Sequence, residues 1–175
     1  KKISSNLILF VDEKYNIVAL KNHITSNEYY YISDLLKSSD LNKDLLFFEV
    51  NSKKTIFLIS IKKDLKTSDV ENLGAKFHGF IDYKSKKSYF VNSDTVISKI
   101  ENFIGYFLHG LKLKSYEFNI YKSKKIKKFV SISVIGKKNK ISAQSQLRFK
   151  ALEDGTFFAR DLVSEPGNIL HPDEY

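Results

Sequence analysis

The chain has 175 residues, enough for one domain able to bury roughly 70% of the surface its unfolded form exposes. Lys and Arg number 29 against 20 acids, a net charge of +9, but the excess is almost all Lys spread over many loops, the pattern of a solvated surface and not of a binding stripe. The lack of Cys excludes a disulfide framework and a thiolate zinc site and points to the cytoplasm, and no run approaches the ~20 apolar residues of a membrane span.

Leu7-Ile-Leu-Phe-Val11 is a short continuous apolar run, predicting a central strand buried on both faces. Thr25-Ser-Asn-Glu28 has capping-box spacing, and Tyr29, Ile32, Leu35 and Leu36 recur at helical intervals behind it. Leu45–Val50 and Thr55–Ile61 read as strands joined by a connector short enough for an antiparallel hairpin. Ser68-Asp-Val-Glu71 is a second capping-box pattern, followed by an apolar stripe of Val70, Leu73, Phe77, Phe80 and Ile81 that predicts a helix lying on the sheet. Ser88–Asn92 reads as a brief strand. From Asp94 or Thr95 a further helix is predicted, with Ile97, Ile100, Phe103, Ile104, Phe107, Leu108 and Leu111 on a broad face and Gly105 and Gly110 allowing close packing. Phe129–Ile135 alternates as a strand closed by Gly136. From Ser142 or Ala143 to about Val163 a long helix carries Leu147, Ala151, Phe158 and Leu162 and is expected to be interrupted at Gly155. The fold class is therefore α/β, a mixed sheet of about five or six strands flanked by helices.

The last stretch organises the functional reading. A helix through Phe158, Leu162 and Val163 should stop near Ser164, because Pro166 disfavours α geometry at Glu165. A turn at Gly167 and Asn168 follows, and His171-Pro172-Asp173-Glu174 then reads as the opening of a second helix. An end inside a nascent helix, together with the lack of any Met, leads to the expectation that these residues are a piece of a longer protein. Ala159, Arg160, Asp161, Leu162, Val163, Pro166, Asn168, Leu170, Pro172 and Glu174 match the pattern that joins a small N-terminal domain to the catalytic domain in the leucyl (cytosol) aminopeptidases. The chain resembles that family; Ser164 and His171 depart from its usual Asn and Thr. Tyr116, Phe118, Tyr121 and Lys122 match a second segment of the same family, in the right order.

The resemblance implies a macro-domain-like N-terminal α/β domain over 1–140, and over 141–175 a linking helix and junction motif carrying Arg160, Asp161, Pro166, Asn168 and Pro172. It implies a following catalytic domain in which two divalent ions, Mn or Zn, polarise a peptide carbonyl and activate water, within a cytoplasmic homo-hexamer that removes N-terminal residues from peptides. The family's metal-ligand motifs do not occur in this chain, so no catalytic or metal residue is assigned in it, and the histidines, His23, His78, His109 and His171, lack metal-site spacing. There is no G-x-S-x-G elbow and no Cys nucleophile. Two rivals stand beside this reading. ADP-ribose binding would need clustered glycines to expose backbone amides, and the seven glycines are isolated. A basic nucleic-acid-binding module would use Lys clusters, chiefly Lys124, Lys125, Lys127 and Lys128, against phosphates, although base readout leans on Arg, which occurs only at 148 and 160.

Overall fold

A computed structural model describes residues 5–83, 87–122 and 130–166. Strand β1 (Asn6–Asp12) is followed by α1 (Ser26–Leu36), the hairpin β2 (Leu45–Asn51) and β3 (Lys54–Ile61), and α2 (Thr67–His78). Then come β4 (Lys87–Asn92), α3 (Phe103–Lys114), β5 (Val130–Ile135) and α4 (Ala143–Ser164). Among the described residues the strands form one mixed sheet of five, ordered β2-β3-β1-β4-β5, with only the hairpin antiparallel.

The apolar run of β1 sits at the centre because both of its faces need cover. Ile8 and Phe10 join Phe57, Ile59, Tyr89 and Val91 under α2 and α3, while Leu7, Leu9 and Val11 join Ile56 and Leu58 on the α1 side. Phe10 meets Phe103 and Phe107 edge-on, with ring centres 5.2 and 5.4 Å apart. Helix α1 starts where its capping box predicts: Thr25 N–H donates to Glu28 Oε2 at 2.8 Å, and Glu28 N–H to Thr25 Oγ1 at 3.2 Å. The other Glu28 oxygen accepts from the buried Lys54 Nζ at 2.7 Å, tying α1 to the start of β3.

Helix boundaries and faces differ from the sequence expectation in α2, α3 and α4. Helix α2 begins at Thr67, one residue before Ser68, because Asp69 reaches back to the N–H of Lys66 at 2.8 Å. Its stripe ends at Phe77; Phe80 and Ile81 lie in the turn beyond. Helix α3 begins at Phe103 and not near Thr95, since the Thr95 hydroxyl accepts from Phe10 N–H at 3.0 Å and donates to Asn92 C=O, holding the chain against β1, and Asn102 takes a left-handed conformation at φ 56°. Ile97, expected on the helix face, is 56% exposed. Helix α4 runs unbroken through Gly155, and the stripe read from its sequence is not the face that packs.

Helices α2 and α3 touch backbone to backbone. A Cβ on Gly74 would stand 1.9 Å from the Phe107 carbonyl oxygen, and one on Gly110 would stand 1.9 Å from that of Glu71. Close packing at Gly110 is the role expected for it from the sequence; its opposite number, Gly74, lies on the stripe of α2 with no signal of its own.

Candidate functional site: the junction of α3 and α4

The two segments singled out in the sequence lie against each other. Helix α3 ends at Lys114, and Tyr116 then meets the last turns of α4. The Tyr116 hydroxyl donates to Asp161 Oδ1 at 2.8 Å, and Arg160 Nη1 donates to the Leu113 carbonyl at 2.7 Å. That carbonyl belongs to the last turn of α3, whose C=O groups lack intrahelical partners and carry the negative end of the helix dipole, so a guanidinium suits it. The same guanidinium lies 5.4 Å from the centre of the Tyr116 ring, which packs on Phe157 at 5.3 Å. One turn further on, Tyr121 donates its hydroxyl to Glu165. Partial burial and then the Asp161 carboxylate push the Tyr116 phenol above its ordinary range; for Tyr121 the hydrogen bond to Glu165 is the larger cause of the same rise.

The N-terminal half of α4 is fastened differently. Phe149 lies over Gly105, where a Cβ would come within 2.4 Å of the ring, and is flanked by Tyr106 and His109. His109 Nδ1 is 2.9 Å from Glu153 Oε1, with both side chains largely buried. The packed face of α4 is thus Phe149, Glu153, Phe157 and Asp161, at intervals of one turn. Sequence reading missed it; the four-residue spacing was a usable signal, masked by the competing stripe Leu147, Ala151, Phe158 and Leu162.

Of the predicted junction residues, Arg160 and Asp161 are therefore brought together with the α3 exit. Pro166 follows the helix end as expected, with Glu165 extended at ψ 139°. Asn168, Pro172 and His171 lie outside the described residues, as do Lys124, Lys125, Lys127 and Lys128. His23 pairs with the Asn92 side chain at 2.9 Å, and His78 stacks near Tyr83. Among the described residues no group of three or more His, Asp or Glu is placed to hold a metal ion, and no helix is long and apolar enough to cross a membrane.

Open α/β sheets bind ligands beyond the carboxyl ends of their parallel strands. Here that region holds a crevice of about 910 Å³ between Asp12, Lys62, Leu65 and Ile100. Among the described residues, a backbone arrangement nearby that resembles an anion cradle is already filled. Gly136, at φ 117°, turns the N–H groups of Lys137 and Lys138 onto Asp94 Oδ1, both at 2.7 Å, and these bonds hold the Asp94 carboxyl below its usual range. A phosphate would have to displace that carboxylate.

No family model matches the chain. A probable cytosol aminopeptidase of Clostridium perfringens is 39% identical over 95 residues, covering 50% of this chain, and its counterpart from Caulobacter vibrioides is 40% identical over 74 residues, covering 38%. The chain is homologous to the cytosol aminopeptidases. It spans 19% and 14% of the length of those two relatives and is related to their N-terminal region. A mutant of tomato leucine aminopeptidase superposes on 98% of the chain with a TM-score of 0.66 at 15% identity, and the bottromycin maturation enzyme BotP, in complex with Mn, with 0.67 at 10%. These two similarities concern the fold, and the chain spans 37% and 34% of the respective structures. The aminopeptidase fold thus accounts for the sheet, its flanking helices and α4 together.

Proposed function

We propose that this chain is the N-terminal, non-catalytic region of a metal-dependent leucyl-type aminopeptidase, and that it serves assembly or regulation of an enzyme that releases N-terminal amino acids from peptides in intracellular protein turnover. The observation that carries the reading is the kinship with cytosol aminopeptidases, 39% identity over 95 residues, in a chain whose two family-like segments meet as one bonded junction. The two divalent ions of such an enzyme do not fit the side chains described here, and their ligands belong to the catalytic domain that follows in this reading. The partners proposed are that domain, further copies of the chain in a homo-hexamer, and peptide substrates.

The test is hydrolysis by the protein extended through the catalytic domain. It should release amino acids one at a time from unblocked peptides, lose activity to chelators, regain it with Mn²⁺ or Zn²⁺, and ignore N-acetylated substrates. Cleavage of acetylated peptides, or full activity after exhaustive chelation, would overturn the reading.

A further inference from the structure

A second crevice, of about 410 Å³, opens beyond the carboxyl ends of β1 and β4. The connections from these two neighbouring strands leave for opposite faces of the sheet, β1 towards α1 and β4 towards α3, and open α/β sheets take ligands at such a place. Its walls are the short 3-10 turns Val18–Asn22 and Ser93–Thr95. The polar groups between them are held in fixed orientations. The buried Asn92 uses its side-chain oxygen to accept from the N–H of Asp94 at 3.0 Å, so its amide nitrogen is the atom that meets His23 Nδ1 at 2.9 Å. Nδ1 is therefore the acceptor, and the imidazole carries its proton on Nε2, which no described residue engages and which is open to solvent. Asp94 commits Oδ1 to the N–H groups of Lys137 and Lys138, and Asp12 commits Oδ1 to those of Lys14 and Asn16 at 3.1 and 2.8 Å; among the described residues each Oδ2 is left for another donor. His23 lies close enough to act electrostatically on the Asp94 carboxylate.

We propose that this crevice binds the amino-terminal residue of a peptide, or an amino-acid amide, that carries an apolar side chain. The ligand's ammonium donates to the Asp94 carboxylate, its carbonyl oxygen accepts from His23 Nε2–H, and its side chain lies on Val18 and Ile97, which are 60% and 56% exposed. Charge agrees with a cationic ligand. Although the chain carries +9, among the described residues no Lys or Arg lines this crevice, whereas Lys14, Lys62, Lys63 and Lys99 line its larger neighbour. A free amino acid fits less well, because its carboxylate falls beside Asp94, and an N-acylated residue lacks the cation that the carboxylates attract.

Titration of the chain with leucinamide, followed in amide NMR spectra, tests the site. Shifts should centre on residues 18–23 and 92–97 and saturate with a dissociation constant on the order of 1 mM, as befits so small a ligand. Leucine and N-acetylleucinamide should bind at least about fivefold more weakly. Asp94→Asn, which keeps an oxygen for the N–H groups of Lys137 and Lys138 but loses the charge, should weaken leucinamide by a similar factor, and His23→Leu should do so more than His23→Gln, which retains a donor. Ile97→Ser alters an exposed side chain, so it should leave the fold intact and remove the preference for leucinamide over glycinamide. No saturable shift at on the order of 20 mM leucinamide, equal binding of N-acetylleucinamide, or unchanged affinity in Asp94→Asn would overturn the proposal. Binding is read without any hydrolysis, so the site and the aminopeptidase reading stand or fall separately.

Discussion

Arg160 and Asp161 are adjacent in sequence, yet they fasten two different groups, the Leu113 carbonyl and the Tyr116 hydroxyl. Both bonds are solvent-accessible, so the stabilisation from each is modest. Arg160→Ala should cost about 1 kcal/mol in chemical unfolding, and Arg160→Lys should recover only part of it, because an ammonium does not stack flat on Tyr116. In an aminopeptidase containing this chain, Arg160→Ala should lower the melting temperature or the oligomer size while leaving turnover per assembled enzyme intact; a collapse of turnover at constant stability would contradict a structural role. Glu28 offers a pH test. Burial pushes its carboxyl up, but the bonds from Lys54 and Thr25 outweigh that and hold it below its ordinary value of 4.5. A depressed carboxyl stabilises the fold fully above its unfolded value and ceases to do so as pH falls through its folded value. The unfolding midpoint should therefore drop below pH 4.5, and Glu28→Gln should flatten that limb. It should also cost about 3 kcal/mol at neutral pH by leaving the Lys54 ammonium buried beside a neutral amide.

At the scale of elements, the contact between α2 and α3 tolerates no side chain at its crossing. Gly110→Ala would drive a methyl into the Glu71 carbonyl, a clash with backbone that no rotamer change relieves. A loss of about 3 kcal/mol, read as a shift of the urea midpoint at constant slope, is expected. Helix α4 is held more loosely, with none of its residues fully buried. Phe149→Ala should cost about 2 kcal/mol or less and should speed amide exchange in the first half of α4 while leaving β1 and β3 protected. Equal acceleration in the sheet would show that α4 belongs to the main cooperative unit.

For the whole molecule the charge of +9 matters through the solvent. Some of the lysines are held by acids of the same fold: Lys62 and Lys76 flank Asp44, and Lys87 pairs with Asp82. Lys76 above all, then Lys62, holds the Asp44 carboxyl below its usual range against the effect of its partial burial. With the charge supplied almost wholly by Lys, DNA affinity should be weak, independent of sequence and steeply reduced by salt, with little left at physiological ionic strength. Sub-micromolar binding under those conditions, abolished by changing Lys124, Lys125, Lys127 and Lys128 to Gln, would favour the nucleic-acid reading instead.

Local chemistry was legible in the sequence because its partners lie within a few residues. The Thr25 capping box, the hairpin of β2 and β3, the doubly buried run of β1 and the helix stop before Pro166 each follow from short-range patterns. The kinship with aminopeptidases was legible for a related reason, since order and spacing of residues survive without reference to the fold. What tertiary structure decided are the choices between locally equivalent options. Asn102 and Thr95 broke an apolar stripe that looked continuous, because β1 offered Thr95 a backbone partner 85 residues away in sequence. Helix α4 carries apolar side chains on opposite faces, and its own periodicity cannot say which one packs. Gly105 settles that: only where α3 lacks a side chain can the Phe149 ring come down onto the helix, and that contact turns Leu147 and Phe158 outward to solvent.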